Sequence, residues 1–441
     1  MKSDPPPPNE VKGLRLIFRA LSHRNYRLFF GGQGISLIGT WMQQIAVGWL
    51  VFRLTQSSFL LGVVGFTSRI PTFVFASFAG VLVDRWNRHR LLVATQVLSM
   101  IQAFILAALV LTGTVAVWHV ILLSLFLGLI NAFDVPVRQS FVVEMIERRE
   151  DLGNAIALNS SMVNGARLVG PSIAGVLIAT VGEGMCFLLN GLSFTAVIAS
   201  LLAMRMTPKP RKEVTTPLWQ GLKEGFTYAF GFAPIRFLLL LLALVSFMGM
   251  PYTVLMPVFA GKILHGGPQA LGFLLGATGV GALSGAIFLA SRKSVLGLGK
   301  IIVIASGLFG IGLIGFSFSR LFWLSLLLMV VTGYGMMVQM TSTNTVLQTL
   351  VDEDKRGRVM SFYTMAFMGM VPFGSLFAGT LASAIGAPET VLIGGLSCLL
   401  GSYLFAKRLP SLRAMVHPIY VEKGIILQEV PSTLPPEDQG P

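Results

Sequence analysis

The positive charges of this chain alternate along its length, and that alternation restricts the fold more than any other feature. Apolar stretches of about twenty residues, each able to cross a hydrocarbon layer of roughly 30 Å, recur almost end to end. The short connections between them are by turns basic and nearly uncharged. Lys2, Lys12, Arg15, Arg19, Arg24 and Arg27 precede the first stretch, the next connection has only Arg53, and the one after has Arg85, Arg88 and Arg90. Followed to the end, 28 of the 33 Lys and Arg fall on one side. Arg53, Lys262 and Arg320 fall on the other, and Arg69 and Arg167 lie inside stretches. A water-soluble chain has no use for such a pattern. The positive-inside rule makes the basic side cytoplasmic, which predicts both termini inside and an even number of crossings.

Composition narrows the class further. Charged residues make up 12% of the chain against about 25% in soluble domains, while 54% is apolar. The net charge of +14 is accounted for by cytoplasmic loops facing an anionic leaflet. No basic stretch forms a nucleic-acid-binding pattern, so no nucleic-acid partner is expected. Cys186 and Cys398 lie within apolar spans and read as packing residues. The first 26 residues are polar, with Pro5 to Pro8 favouring an extended start, and they do not resemble a cleavable leader. A phosphate-cradling G-x-x-x-x-G-K-[ST] loop and a G-x-S-x-G elbow are both missing. His23, His89, His119, His265 and His417 stand far apart without ligand spacing. The expectation is therefore a non-enzyme without metal or cofactor.

Twelve helices fit the pattern, at about 27–51, 59–82, 91–112, 117–138, 155–180, 184–204, 234–262, 269–290, 300–318, 321–344, 359–384 and 388–406. This predicts an all-α membrane protein with an N-terminal segment (1–26), a six-helix bundle (27–204), a linker (205–233), a second six-helix bundle (234–406) and a disordered tail (407–441). Within the linker Leu218, Leu222, Phe226 and Phe230 recur every fourth residue, as in an amphipathic helix lying on the interface. The halves also repeat. A shift of 204 positions lays Gly170, Ala174, Gly175, Leu177 and Gly182 on Gly374, Ala378, Gly379, Leu381 and Gly386. The same shift lays Gly191, Leu192 and Ser193 on Gly395, Leu396 and Ser397. An upright repeat of six helices suits two bundles that rock about a central site.

The connection after the second helix reads Gly80-Val-Leu-Val-Asp84-Arg85-Trp-Asn87-Arg88-His-Arg90. It resembles the G-x-L-a-D-R-x-G-R-R signature of the major facilitator superfamily, with Asn87 in place of a glycine. Asn tolerates left-handed backbone, so the turn is retained. Gly80 allows close helix contact, and Asp84 can face the N-terminal dipole of the helix starting near Gly357 and Arg358. The resemblance implies a cytoplasmic gate built from Gly80, Asp84, Arg85 and Arg88. The fifth helix carries Gly170, Pro171, Ala174 and Gly175, small residues for packing and a proline for bending. They resemble an incomplete form of the antiporter signature of that superfamily. Together with Asp134 and Arg167, the pattern is most similar to the enterobactin-exporter-like and drug-efflux branch, over about residues 20–405. That similarity implies an antiporter, and the short outer connections without an N-x-[ST] acceptor fit a bacterial inner (plasma) membrane.

Arg69 and Arg167 stand about a dozen residues from the basic ends of their helices, roughly at the bilayer midplane. A charge there costs at least about 2.5–3.5 kcal/mol and requires water or a partner. Both are expected to line a substrate cavity with Asn164, Gln43 and Gln44, favouring an anionic or multiply hydroxylated cargo. The bland alternative is that they tie helices together through backbone carbonyls or through Asn164, one turn from Arg167. Asp134, one turn from Arg138, is a proton carrier or the partner of Arg138 in the gate; the gate is preferred. Phe66, Phe73 and Trp49 read as lipid-facing or packing residues. The whole predicts a monomeric secondary transporter working by alternating access and exporting a small siderophore-like molecule or amphipathic drug. Proton exchange enters only through the resemblance. Alternatives are a lysophospholipid translocator or nutrient importer of the same fold, or a non-transporting sensor or scaffold.

Overall fold

In lipid every backbone N–H and C=O must find its partner within the segment, so apolar runs of this length become helices. The computed structural model describes residues 18–75, 86–205, 226–292 and 294–426, and all regular structure among them is helical. Twelve helices are long and apolar enough to span a membrane. They are α1 (Arg24–Thr55), α2 (Ser58–Phe75), α3 (Arg88–Leu111), α4 (Val117–Met145), α5 (Leu152–Val181) and α6 (Glu183–Leu202). The second six are α7 (Ala233–Ile263), α8 (Gly267–Ala290), α9 (Leu298–Phe318), α10 (Phe322–Leu350), α11 (Lys355–Ile385) and α12 (Ala387–Glu422).

Several helices outrun their hydrophobic spans. α4 continues through Pro136 to Met145 and α10 reaches Leu350, because hydrogen bonding continues beyond the hydrocarbon edge. The largest correction is α12, which makes 407–422 helical rather than disordered. Pro410 and Pro418 lie inside it, but Leu409, Leu412, Val416, Ile419 and Tyr420 form a stripe that packs on the apolar core. Lys423 Nζ then donates to the carbonyls of Thr349, Leu350 and Val351 at 2.9, 3.4 and 3.3 Å, satisfying acceptors that the end of α10 leaves open. Leu218 and Leu222 of the linker stripe lie outside the described residues. Phe226 stacks on Phe230 with ring centres 4.5 Å apart, and both meet Phe362 of α11.

The internal repeat reappears as equivalent contacts. Gly170 of α5 packs on Trp41 of α1, and Gly374 of α11 packs on Phe247 of α7. Gly182 and Gly386 turn the chain into α6 and α12 with φ of 84° and 103°, a region open to glycine. The two halves meet where helices cross almost backbone to backbone. A Cβ on Gly175 of α5 would stand 2.9 Å from Gly272 Cα of α8, and one on Gly62 of α2 would stand 2.8 Å from Gly379 Cα of α11. Both crossings lie in the half of the molecule away from the basic end. The apolar core agrees: one cluster runs through the second half into the far part of the first, including Leu50, Leu61 and Ala174. A separate cluster around Tyr26, Leu92, Phe141 and Phe194 fills the basic end of the first half. Among the described residues, the closest backbone crossings of the two halves thus lie away from the basic end.

Candidate functional site

Pro71 sets the local course of α2 where that helix meets the other half. Without an N–H, this proline removes the bond to the carbonyl four residues back, and the chain turns at Ser68–Arg69 before the helix resumes. Arg69 N bonds to Phe66 O at 3.1 Å, a tighter connection, and Thr72 Oγ1 donates to Gly128 O of α4 at 3.2 Å. The turn presents Arg69 as an exposed side chain near the middle of the second span. Phe66 and Phe73 flank it, and both set their rings against Phe373 of α11, at 5.9 and 5.6 Å, edge-on. These two phenylalanines, read from sequence as lipid-facing or packing residues, do pack, but at the seam between halves.

Arg167 of α5 enters the same space within electrostatic reach of Arg69. Its guanidinium lies 5.7 Å from the ring centre of Trp41, an attraction worth about 0.5–2 kcal/mol. Its Nη2 is 3.9 Å from Met336 Sδ of α10. Tyr252 of α7 also lies within its electrostatic reach. The buried Tyr252 hydroxyl lies near Thr278 of α8 without making a well-formed hydrogen bond. Arg167 therefore spans the seam, with α1 on one side and α7 and α10 on the other. Among the described residues neither arginine is paired with a carboxylate. Asn164 donates to Ser160 O of its own helix at 2.9 Å, and Gln44 is exposed on the face of α1 that carries Trp41 and Gly48.

Gln43 is placed differently from the expectation. It is buried inside the first half, where its Nε2 donates to Gln102 Oε1 and Asn190 Nδ2 donates to its Oε1, both at 2.8 Å. This amide chain joins α1, α3 and α6, so Gln43 is a helix tie and does not line the chamber. Asp134 is likewise enclosed: it accepts from Thr95 Oγ1 at 2.9 Å and Gln96 Nε2 at 2.7 Å and lies 3.6 Å from Arg138 Nε. Arg88 pairs with Glu144 across α3 and α4 at 2.6 Å. Gly80, Asp84 and Arg85 lie outside the described residues. Pro171, Ala174 and Gly175 sit in the α5 seam, buried. Trp41, Tyr252 and Met336 were not singled out from sequence as partners of Arg167. A tryptophan in a helix otherwise lined with Gln and Gly was the available hint.

Arg69 and Arg167 thus stand within electrostatic reach of each other at the seam between the halves. Residues 17–420 match the family described as transmembrane secretion effector, within the major facilitator superfamily. The chain belongs to it. Among superfamily relatives, the staphyloferrin A transporter of Staphylococcus aureus is 26% identical over 87% of this chain and 96% of its own length. The multidrug efflux pump Tap of Mycolicibacterium fortuitum is 26% identical over 87% of this chain and 93% of its own. A bacterial homologue of the iron transporter ferroportin, solved in an inward-facing state, superimposes with a TM-score of 0.67 at 17% identity. That match covers 90% of this chain and 99% of the other. This superfamily chain is therefore a multi-pass transporter of the bacterial inner membrane.

Proposed function

We propose that this transporter exports a small amphipathic anion of the siderophore type by alternating access. The observation that carries the reading is the pair Arg69 and Arg167, within electrostatic reach of each other and, among the described residues, unpaired with any carboxylate. A cargo with two carboxylates or catecholates supplies the missing charge, and Trp41, Phe66, Phe73 and Phe373 supply apolar faces for its body. The similarity to the staphyloferrin A transporter supports this class. The same aromatic lining and the similarity to Tap support amphipathic drugs as a second cargo. The positive-inside pattern places both termini in the cytoplasm, so the chamber opens inward. Residues 27–204 and 234–406 act as the two rocking units of a monomer. Exchange against protons is the coupling that the superfamily resemblance favours. Among the described residues Asp134 is the carboxylate deep in a span, and its enclosure fits a positioning role for Arg138 better than a carrier role.

The test is retention of a radiolabelled polycarboxylate siderophore and of a labelled macrolide in cells with and without the protein. Arg167→Gln and Arg69→Gln are each expected to slow siderophore export about ten- to a hundredfold, the worth of one charge-assisted hydrogen bond, at unchanged membrane abundance. Unchanged export in both variants removes the guanidiniums from the reading. Macrolide export without siderophore export moves the chain to the drug reading.

A further inference from the structure

On the outer surface of the second half, α7 and α12 enclose a groove of about 650 Å³ that has no part in the chamber. Its walls are Phe237, Leu240 and Leu244 on one side and Leu404 on the other, with Lys407 and Arg408 at its basic end. Leu240 and Leu404 are 49% and 54% exposed, so the groove faces the lipid. It lies beside the contact of Gly401 with Leu244 and Leu241, where the small residue brings the two helices together. Lys407 and Arg408 are both exposed, and among the described residues neither has a carboxylate or hydrogen-bond partner. A third cation, Arg236, lies 5.4 Å from the ring centre of Phe237 at the same end.

We propose that this groove binds one anionic phospholipid, its acyl chain along Leu240, Leu244 and Leu404 and its phosphate between Lys407 and Arg408. An apolar slot at hydrocarbon depth takes a chain, and unpaired cations at the headgroup level take the phosphate. Here the apolar slot and the two cations adjoin. Its volume falls in the range of ligand sites, about 300–1,000 Å³. Because α12 continues past the groove to Lys423 and the end of α10, an occupied groove also holds that helix against α7.

The experiment uses the full-length protein purified in a zwitterionic detergent, titrated with dioleoyl-phosphatidylglycerol or dioleoyl-phosphatidylcholine and read by native mass spectrometry. One phosphatidylglycerol is expected to bind in preference to phosphatidylcholine. Lys407→Gln/Arg408→Gln should weaken that binding about 25-fold, some fivefold for each surface cation. Leu404→Trp, which fills the slot and leaves the charges, should weaken it as well. Excess inorganic phosphate should not displace the lipid; displacement would make the site a phosphate site and overturn the assignment. Equal binding of both lipids, or full phosphatidylglycerol binding by the double variant with native helix content, would also overturn it. None of these readings depends on cargo.

Discussion

The two halves follow one plan and are held together by different chemistry. The first is fastened by side chains that bond across helices: Gln43 with Gln102 and Asn190, Asp134 with Thr95 and Gln96, Arg53 with Glu183 at 2.7 Å, and Asp151 with His23 at 2.9 Å. In the second, many hydroxyls bond back to their own helix, as Ser306, Thr332 and Thr343 do, and apolar packing does most of the joining. Three π-helical segments, Val245–Gly249, Phe259–Ile263 and Met365–Gly369, all lie in α7 and α11 of the second half. Their counterparts α1 and α5 run as uninterrupted α-helix. A π segment loosens the regular ladder and is often found at functional places. Both arginines belong to the first half. Among the described residues, cross-helix polar bonds and the two arginines go with one half, and the π segments go with the other.

The strongest way to break this comparison is at the crossings, which should be equivalent despite the difference. Gly175→Leu and Gly379→Leu each drive a side chain into backbone. An overpacking cost above about 3 kcal/mol disfavours the joined state more than about a hundredfold. Transport in reconstituted vesicles should be lost in both, and normal transport in either would end the equivalence. Next, Gln43→Leu orphans two buried amides and should lower stability by about 1–3 kcal/mol, read as thermal unfolding in micelles; an unchanged midpoint would mean that the amide chain does not stiffen the first half. A smaller loss, about 1–2 kcal/mol, is expected for Asp134→Asn, with transport and its response to an imposed pH gradient intact. Loss of that response would make Asp134 a proton carrier. Least affected should be Ser246→Ala in the second half. Among the described residues this buried hydroxyl has no hydrogen-bond partner, so its removal should be neutral or slightly stabilising, and a marked loss would show a polar tie there after all.

Span number, the upright repeat and the depth of both arginines were legible because each leaves a periodic or stepwise trace in sequence. Gln43 was not. An amide at mid-depth looks the same whether its helix turns it to a neighbour or to a cavity, and only the rotation of α1 distinguishes them. The end of α12 was hidden by Pro410 and Pro418, which read as breakers, while the compensating stripe from Leu409 to Tyr420 becomes visible only against the core. The π segments leave no composition signal. The turn at Arg69 was available in principle from Pro71, four residues after Thr67, yet the apolar run through it suggested a straight helix.

The unpaired guanidiniums also have an electrical consequence. On the proposed reading, the chamber without cargo holds two positive charges at mid-depth, and with a dianion aboard it holds none. One charge crossing the full field at 100 mV gains or loses about 2.3 kcal/mol. If rocking moves the pair through a fifth of that field, the unloaded carrier feels about 0.9 kcal/mol, close to a fivefold bias, and the loaded one feels nothing. On the same reading, with the mouth inward at rest, a cell that is negative inside turns the unloaded protein back toward its cytoplasmic supply and leaves the loaded protein free to face out, so that voltage resets the cycle without touching the cargo.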